Sequence, residues 1–172
     1  HASGMISQRT VWTCAALAGG SALVLAAAPA QYLGRQQDDL IYIIASQSLA
    51  HGSYRLSTIL GRPLVVMFTP GWPALMLPIS LLCPSRLGAY EAFAALLQAC
   101  LPWVAFAWLR RRLDETSALL CALLCAASPL LLSQAGAVMS ETPYLLLTLG
   151  LLCSLEKNGT HVGFKIGAWL AA

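Results

Sequence analysis

Long uncharged apolar runs, separated by short polar stretches, set the pattern along this chain. The first run is Val11 to Ala30, "VWTCAALAGGSALVLAAAPA", with Arg9 just ahead of it. A polar stretch from Gln31 to Arg62 follows and holds Arg35, Asp38, Asp39, His51 and Arg55. Pro63 to Ser85 is uncharged again, but Pro63, Pro70, Pro73, Pro78 and Pro84 interrupt it. Gly88 to Leu109 is a cleaner run with Glu91 near its start, and "RRRLDE" (Arg110 to Glu115) closes it. Thr116 to Ser140 and Thr142 to Leu155 are uncharged in turn, before Glu156 and Lys157.

A bilayer core about 30 Å thick takes roughly 20 apolar residues in a helix. The pattern therefore predicts an all-α, polytopic transmembrane protein. Its helices fall at about 11–30, 88–109, 117–134, 141–156 and from 163 onward. Residues 31–87 form one large loop with interfacial helices, and residues 1–10 form a tail ahead of the membrane domain, 11–172. The opening "HASGM" reads as a remnant before a natural start at Met5, and the end, "FKIGAWLAA", as the beginning of another span in a longer protein. The first run is long enough to stay as an anchor rather than be cleaved.

Composition sharpens the class. The 172 residues are 58% hydrophobic and only 10% charged, against about 25% charged in ordinary soluble domains. A soluble surface cannot be covered this way. The net charge of +3, grouped at the ends of apolar runs, carries topology information and argues against a nucleic-acid partner. If Pro63 to Ser85 does not cross, Arg9, Arg110, Arg111, Arg112, Lys157 and Lys165 share one side, with Arg35, Arg55, Arg62 and Arg86 opposite. If it crosses, only Arg9 and Arg86 remain with the N-terminus. Cytoplasmic loops concentrate Lys and Arg, so the first arrangement is expected, with the proline-broken run lying at the outer interface as short helices or dipping in and returning. The six cysteines (14, 83, 100, 121, 125 and 153) all fall in apolar segments, without CxxC pairs, and read as small buried hydrophobes. Asn158-Gly159-Thr160 matches a glycosylation sequon that this topology places in the cytoplasm, unused.

Candidate chemistry lies in the acids. Adjacent Asp38 and Asp39 sit at the expected outer end of the first helix. One reading makes them first-turn acids of an amphipathic helix on the membrane surface, with Leu40, Ile43, Ile44 and Leu49 as its apolar face. The other makes them part of a wet site with Glu141, which "MSETPY" places at a helix end on the same side. Glu141 is equally a helix-start acid, with Ser140 as cap and Pro143 in the first turn. His51 reads as a polar helix end, and Trp72, Trp103, Trp108 and Tyr90 as interface or packing residues.

"DDLIYIIASQSLAHGSY", "FTPGWPALMLP" and "SETPYLLLTL" together resemble the front of a multi-spanning, fold-type-C glycosyltransferase that uses a polyprenyl-phosphate sugar donor. The superfamily includes dolichyl-phosphate-mannose protein mannosyltransferases and aminoarabinose transferases. Asp38, Asp39 and Tyr42 are similar to its acidic pair and following tyrosine, and Ala50, Gly52 and Tyr54 to its small-x-Gly-x-Tyr ending. Pro70, Gly71, Trp72 and Pro73 are similar to its Pro-Gly-aromatic-Pro start of an interfacial helix, and Glu141 with Pro143 to its second-loop acid. The resemblance spans about residues 10–157, and Thr69-Pro70 stands where many members have a doubled proline.

The resemblance implies an inverting sugar transfer to a lipid, glycan or protein acceptor at the outer face of a membrane, expected to be a bacterial inner membrane. Asp38 is the expected base, Asp39 its modulating partner, and Glu141 an acceptor-orienting group. In metal-dependent members a divalent cation, Mg or Mn, would fall to Asp38 and Glu141. Tyr42, Tyr54, Arg55 and Arg62 are the expected substrate-binding residues, the arginines facing the leaving phosphate or serving as interfacial anchors. The alternative is a transporter that couples ions through its carboxylates. A non-catalytic membrane scaffold, with the acids as caps, is a further rival.

Overall fold

The structure, a computed structural model, describes residues 8–28, 33–34, 37–56, 58, 60–61 and 63–157. The expected helix from 163, the sequon, Arg35 and Arg62 lie outside them. Helix α1 is Gln8–Ala27 and α2 is Gln37–Ala50. Two short helices follow, α3 (Gly71–Leu75) and α4 (Leu77–Leu82), then α5 (Leu87–Ala99), α6 (Leu101–Leu109), α7 (Glu115–Ala126), α8 (Pro129–Ser133) and α9 (Glu141–Lys157). Among the described residues the only strand-like feature is an antiparallel bridge between Arg55 and Leu64. The all-helical expectation holds. Three stretches, Gln8–Ala27, Leu87–Leu109 and Glu115–Ser133, are long and apolar enough to cross a membrane; Glu141–Leu155 is apolar but shorter.

Proline explains where the apolar stretches break. Pro102 has no N–H to offer the preceding turn, so α5 and α6 meet at Cys100 instead of forming one regular helix. Backbone polar groups left at such a break must be satisfied within the protein when lipid surrounds it. Here the Trp103 indole N–H donates to Ser21 Oγ at 2.9 Å, and Ser21 donates in turn to the Ala99 carbonyl at 2.6 Å. A similar device serves the second break. The side-chain amide of Gln98, 2% exposed inside the bundle, donates to the Leu131 carbonyl of α8, close to where Pro129 restarts the helix.

Lipid tails are as apolar as leucine, so association within a membrane rests on close packing by small residues. This bundle follows that rule. Leu17 of α1 packs with Ala105 and Phe106 of α6 and with Ala118 and Ala122 of α7. Val24 packs with Ala99, Ala126 and Ala135 one layer along. Between the layers a Cβ at Gly20 would lie 3.2 Å from Leu123 Cδ2 and 3.4 Å from Ala126 Cβ, so glycine is what lets α1 approach α7. The cysteines depart from expectation: Cys14, Cys100 and Cys125 are exposed and the other three half-buried, so the tight packing belongs to alanine and glycine.

The two ends of the bundle differ. At one end Arg9 lies 3.8 Å from Glu115, beside the Arg110–Arg112 turn. At the other end α2, α3 and α4 form a cap whose core joins Tyr42, Ile43, Trp72, Met76, Tyr90, Ala94 and Val138. The face of α2 that packs inward shares Ile43 with the expected apolar face of Leu40, Ile43, Ile44 and Leu49, but is otherwise a different one. Asp39, Tyr42, Ile43 and Ser46 are buried at i, i+3, i+4 and i+7, whereas Leu40 is 41% exposed. Polar partners explain the choice. Ser46 Oγ lies 2.7 Å from Ser80 Oγ, which lies 3.0 Å from the hydroxyl of the fully buried Tyr90, so the inward face is matched by hydroxyls on α4 and α5.

Candidate functional site

The adjacent aspartates have different surroundings. Asp39 is fully buried; its Oδ2 accepts the Gly34 N–H at 2.9 Å and its Oδ1 the Leu40 N–H at 2.6 Å. Gly34 takes φ +87°, a left-handed conformation open to glycine at little cost, and this turns its N–H toward the start of α2. Next to it, the Leu33 N–H donates to Glu91 Oε1 at 2.9 Å, and Glu91 itself is 9% exposed. Two consecutive backbone donors of the α1–α2 connection are thus held by carboxylates from two different helices. Asp38, at the start of α2, is half-buried.

Tyr42, one helical turn on, ties α2 to the start of α9. Its hydroxyl lies 3.0 Å from Ser140 Oγ, and its ring meets Phe68 edge-on with centroids 5.1 Å apart. Ser140 stands at the expected cap position of α9, its carbonyl accepting the Tyr144 N–H at 3.0 Å, and its hydroxyl is turned to Tyr42. The neighbouring Glu141 is exposed and sits in the first turn of α9, where the helix dipole favours a carboxylate. The half-buried Tyr54 donates its hydroxyl to the Phe68 carbonyl at 3.1 Å. Burial first, then the Tyr42 phenol, push the Tyr54 hydroxyl above the ordinary tyrosine value. Arg55 is exposed, and its backbone N–H donates to Ser48 Oγ at 3.1 Å. His51 is exposed in the turn that ends α2.

A cleft of about 540 Å³ opens between α3 and α9. Thr69, Ser140 and Glu141 supply its polar edge, while Trp72, Leu75 and Leu147 supply its apolar wall. Trp72 is 4% exposed: its ring stacks on Phe93 at 5.8 Å and its indole N–H donates to the Val138 carbonyl at 3.3 Å. Packing is therefore its main role, with one edge given to the cleft. Tyr144, 63% exposed, stands at the rim.

The cleft brings Glu141 together with Ser140 and Trp72, but Asp38 and Asp39 do not line it. The divalent-cation expectation for Asp38 and Glu141 also finds no ligand set. Among the described residues no three of His, Cys, Asp and Glu are grouped so as to hold a metal ion. Glu91 is the acid that sequence reasoning passed over as a blemish in an apolar run. A carboxylate four residues into a candidate span was itself the signal, because burying one demands a partner. Comparison of the chain with protein-family models, curated proteins and solved structures found no match.

Proposed function

We propose that this chain is part of a membrane glycosyltransferase that moves a sugar from a polyprenyl-phosphate donor to an acceptor hydroxyl, at the end of the bundle capped by α2–α4. The observation that carries the reading is the Tyr42–Ser140 bond of 3.0 Å. It ties the helix that begins with Asp38 and Asp39 to the segment bearing Glu141, so that these acids belong to one end of the bundle, remote from Arg9 and Arg110. The motif resemblance supplies the reaction class, and the cleft beside Glu141 supplies a place with one polar edge and one apolar wall, as a lipid-linked sugar needs.

In this reading the two aspartates divide the work. Asp39, occupied by the Gly34 and Leu40 N–H groups, positions the start of α2. Asp38 accepts the proton of the acceptor hydroxyl as its oxygen bonds to the anomeric carbon. The bond from that carbon to the phosphate oxygen breaks with inversion, and the electron pair leaves on the polyprenyl phosphate. Glu141 orients the acceptor from the cleft, and Arg55 and Arg62 oppose the charge on the departing phosphate. The natural setting is a bacterial inner membrane with the cap facing outward, in keeping with arginines at the opposite end.

The test uses the full-length protein in membranes containing polyprenyl-phosphate sugars and extracted lipid and protein acceptors. Parent and Asp38→Asn are compared at equal insertion. The expected result is transfer by the parent and loss in the variant. Equal transfer by both removes Asp38 from the reaction. No transfer by either, together with ion-dependent uptake in vesicles, establishes the transporter alternative instead.

A further inference from the structure

At the arginine end a second cavity, of about 570 Å³, opens between α1 and α6. Its size falls within the range of about 300–1,000 Å³ typical of small-molecule sites. Thr10 and Arg110 stand at the helix ends that form its mouth, and Cys14, Leu17, Phe106 and Trp103 line it further along the two helices. Trp103, on its wall, is held in place by its indole N–H bond to Ser21 Oγ. The slot is thus polar where the helices end and apolar where they enter a membrane.

The charges at the mouth are unequally matched. Glu115 also lines the slot, but it accepts the Thr13 hydroxyl at 3.1 Å and faces Arg9 at 3.8 Å. The carboxylate of Asp114 accepts the Ser117 N–H at 3.0 Å. Arg111 donates to the Cys153 carbonyl, and the Arg112 guanidinium lies 4.1 Å above the Trp108 ring. Arg110 differs. Its backbone N–H continues the helix to the Phe106 carbonyl, but among the described residues its guanidinium is partnered by the Phe106 ring, 5.7 Å away, and by no oxygen. Phe106 is a wall of the slot, so the ring that holds the Arg110 guanidinium holds it at the mouth.

We propose that this slot binds an anionic phospholipid of the leaflet at this end, with the lipid phosphate at Arg110 and Thr10 and the first part of an acyl chain against Leu17, Phe106 and Trp103. Charge complementarity selects the occupant. A guanidinium without an oxygen partner, in a slot that a hydroxyl also lines, suits a phosphate, and an apolar wall leading into the bilayer suits the chain attached to it. The inference rests on the membrane-crossing character of α1 and α5–α6 and is independent of the glycosyl-transfer reading.

The test is native mass spectrometry of the detergent-solubilised full chain, titrated with phosphatidylglycerol or phosphatidylcholine of matched acyl chains. Phosphatidylglycerol is expected to bind more tightly than phosphatidylcholine. Arg110→Gln is expected to weaken it about fivefold, the worth of one basic side chain at an anionic surface, while Arg112→Gln leaves it unchanged. Cys14→Phe fills the slot without altering charge and is expected to block binding. Equal weakening by both arginine variants would point to the general field of the basic turn and overturn the site. So would undiminished binding in Cys14→Phe, or equal affinity for the two lipids. Displacement by glycerol phosphate as effective as by the lipid would replace the lipid with a soluble phosphate ligand.

Discussion

Removing the Asp39 side chain tests the division of labour between the two adjacent aspartates. In Asp39→Ala the Gly34 N–H loses a carboxylate acceptor at 2.9 Å. A hydrogen bond to a charged group contributes about 1.5–3 kcal/mol, and a first-turn acid adds about 0.3–1 kcal/mol through the helix dipole. Gly34 is exposed, so water can take over its N–H and no orphan-donor penalty is added. The Leu40 N–H belongs to the next residue in the first turn and is left out for the same reason. The expected loss is about 2–4 kcal/mol for Asp39→Ala and under about 1 kcal/mol for Asp38→Ala, which loses only the dipole contribution. Glu91→Gln keeps an oxygen for the Leu33 N–H and should cost about 1 kcal/mol. Because Leu33 and Gly34 are neighbours, Asp39→Ala and Glu91→Ala should be non-additive by at least about 0.5 kcal/mol. The assay is reversible unfolding by SDS in mixed micelles, with helical content and tryptophan fluorescence as parallel readouts. Stability of Asp39→Ala within about 0.5 kcal/mol of the parent, or an equal loss in Asp38→Ala, would refute the positioning role of Asp39.

Four further expectations concern packing and capping. Tyr42→Phe should cost about 1 kcal/mol in the same unfolding assay, and Ser140→Ala should add little to it, since both remove the one 3.0 Å bond. Trp72→Ala, which removes the ring stacked on Phe93, should cost about 3–5 kcal/mol, a loss that Trp72→Phe largely avoids. At the α1–α7 approach, Gly20→Val should destabilise by about 1–3 kcal/mol through contact with Leu123 and Ala126, whereas Gly19→Ala, with nothing within 4 Å, should be neutral or stabilising. The side-chain and then the backbone hydrogen bond of Ser117 hold the Asp114 carboxyl below the usual carboxylate range. Its capping contribution is therefore complete above the unfolded-state pKa and is lost as pH falls through the lowered folded value. Asp114→Asn should flatten that acid limb in a thermal-unfolding series, and an unchanged limb would count against the cap.

Local features of the chain were enough to place the long apolar helices. Apolar runs of membrane-crossing length mark α1, α5–α6 and α7–α8, because the bilayer sets a length that any such run must meet. The breaks at Pro102 and Pro129 were not read from the pattern, which ran 88–109 and 117–134 as unbroken helices, although a missing N–H is a property of the residue itself. The acids near helix starts were legible. Periodicity, however, reports only which side chains share a face, and it assumes that the inward face is the apolar one. On α2 that assumption failed: Asp39 and Ser46 are buried while Leu40 is not, because the partners are the Gly34 N–H and the Ser80 hydroxyl, remote in sequence or supplied by a turn. The same reason hid the role of Glu91, whose partner is a backbone N–H 58 residues earlier, and the bond from the hydroxyl of Ser140 to Tyr42. Composition and spacing decide where a helix begins and whether it suits lipid. Which of two adjacent aspartates is buried depends on hydrogen bonds across the fold, and only the tertiary structure decided it.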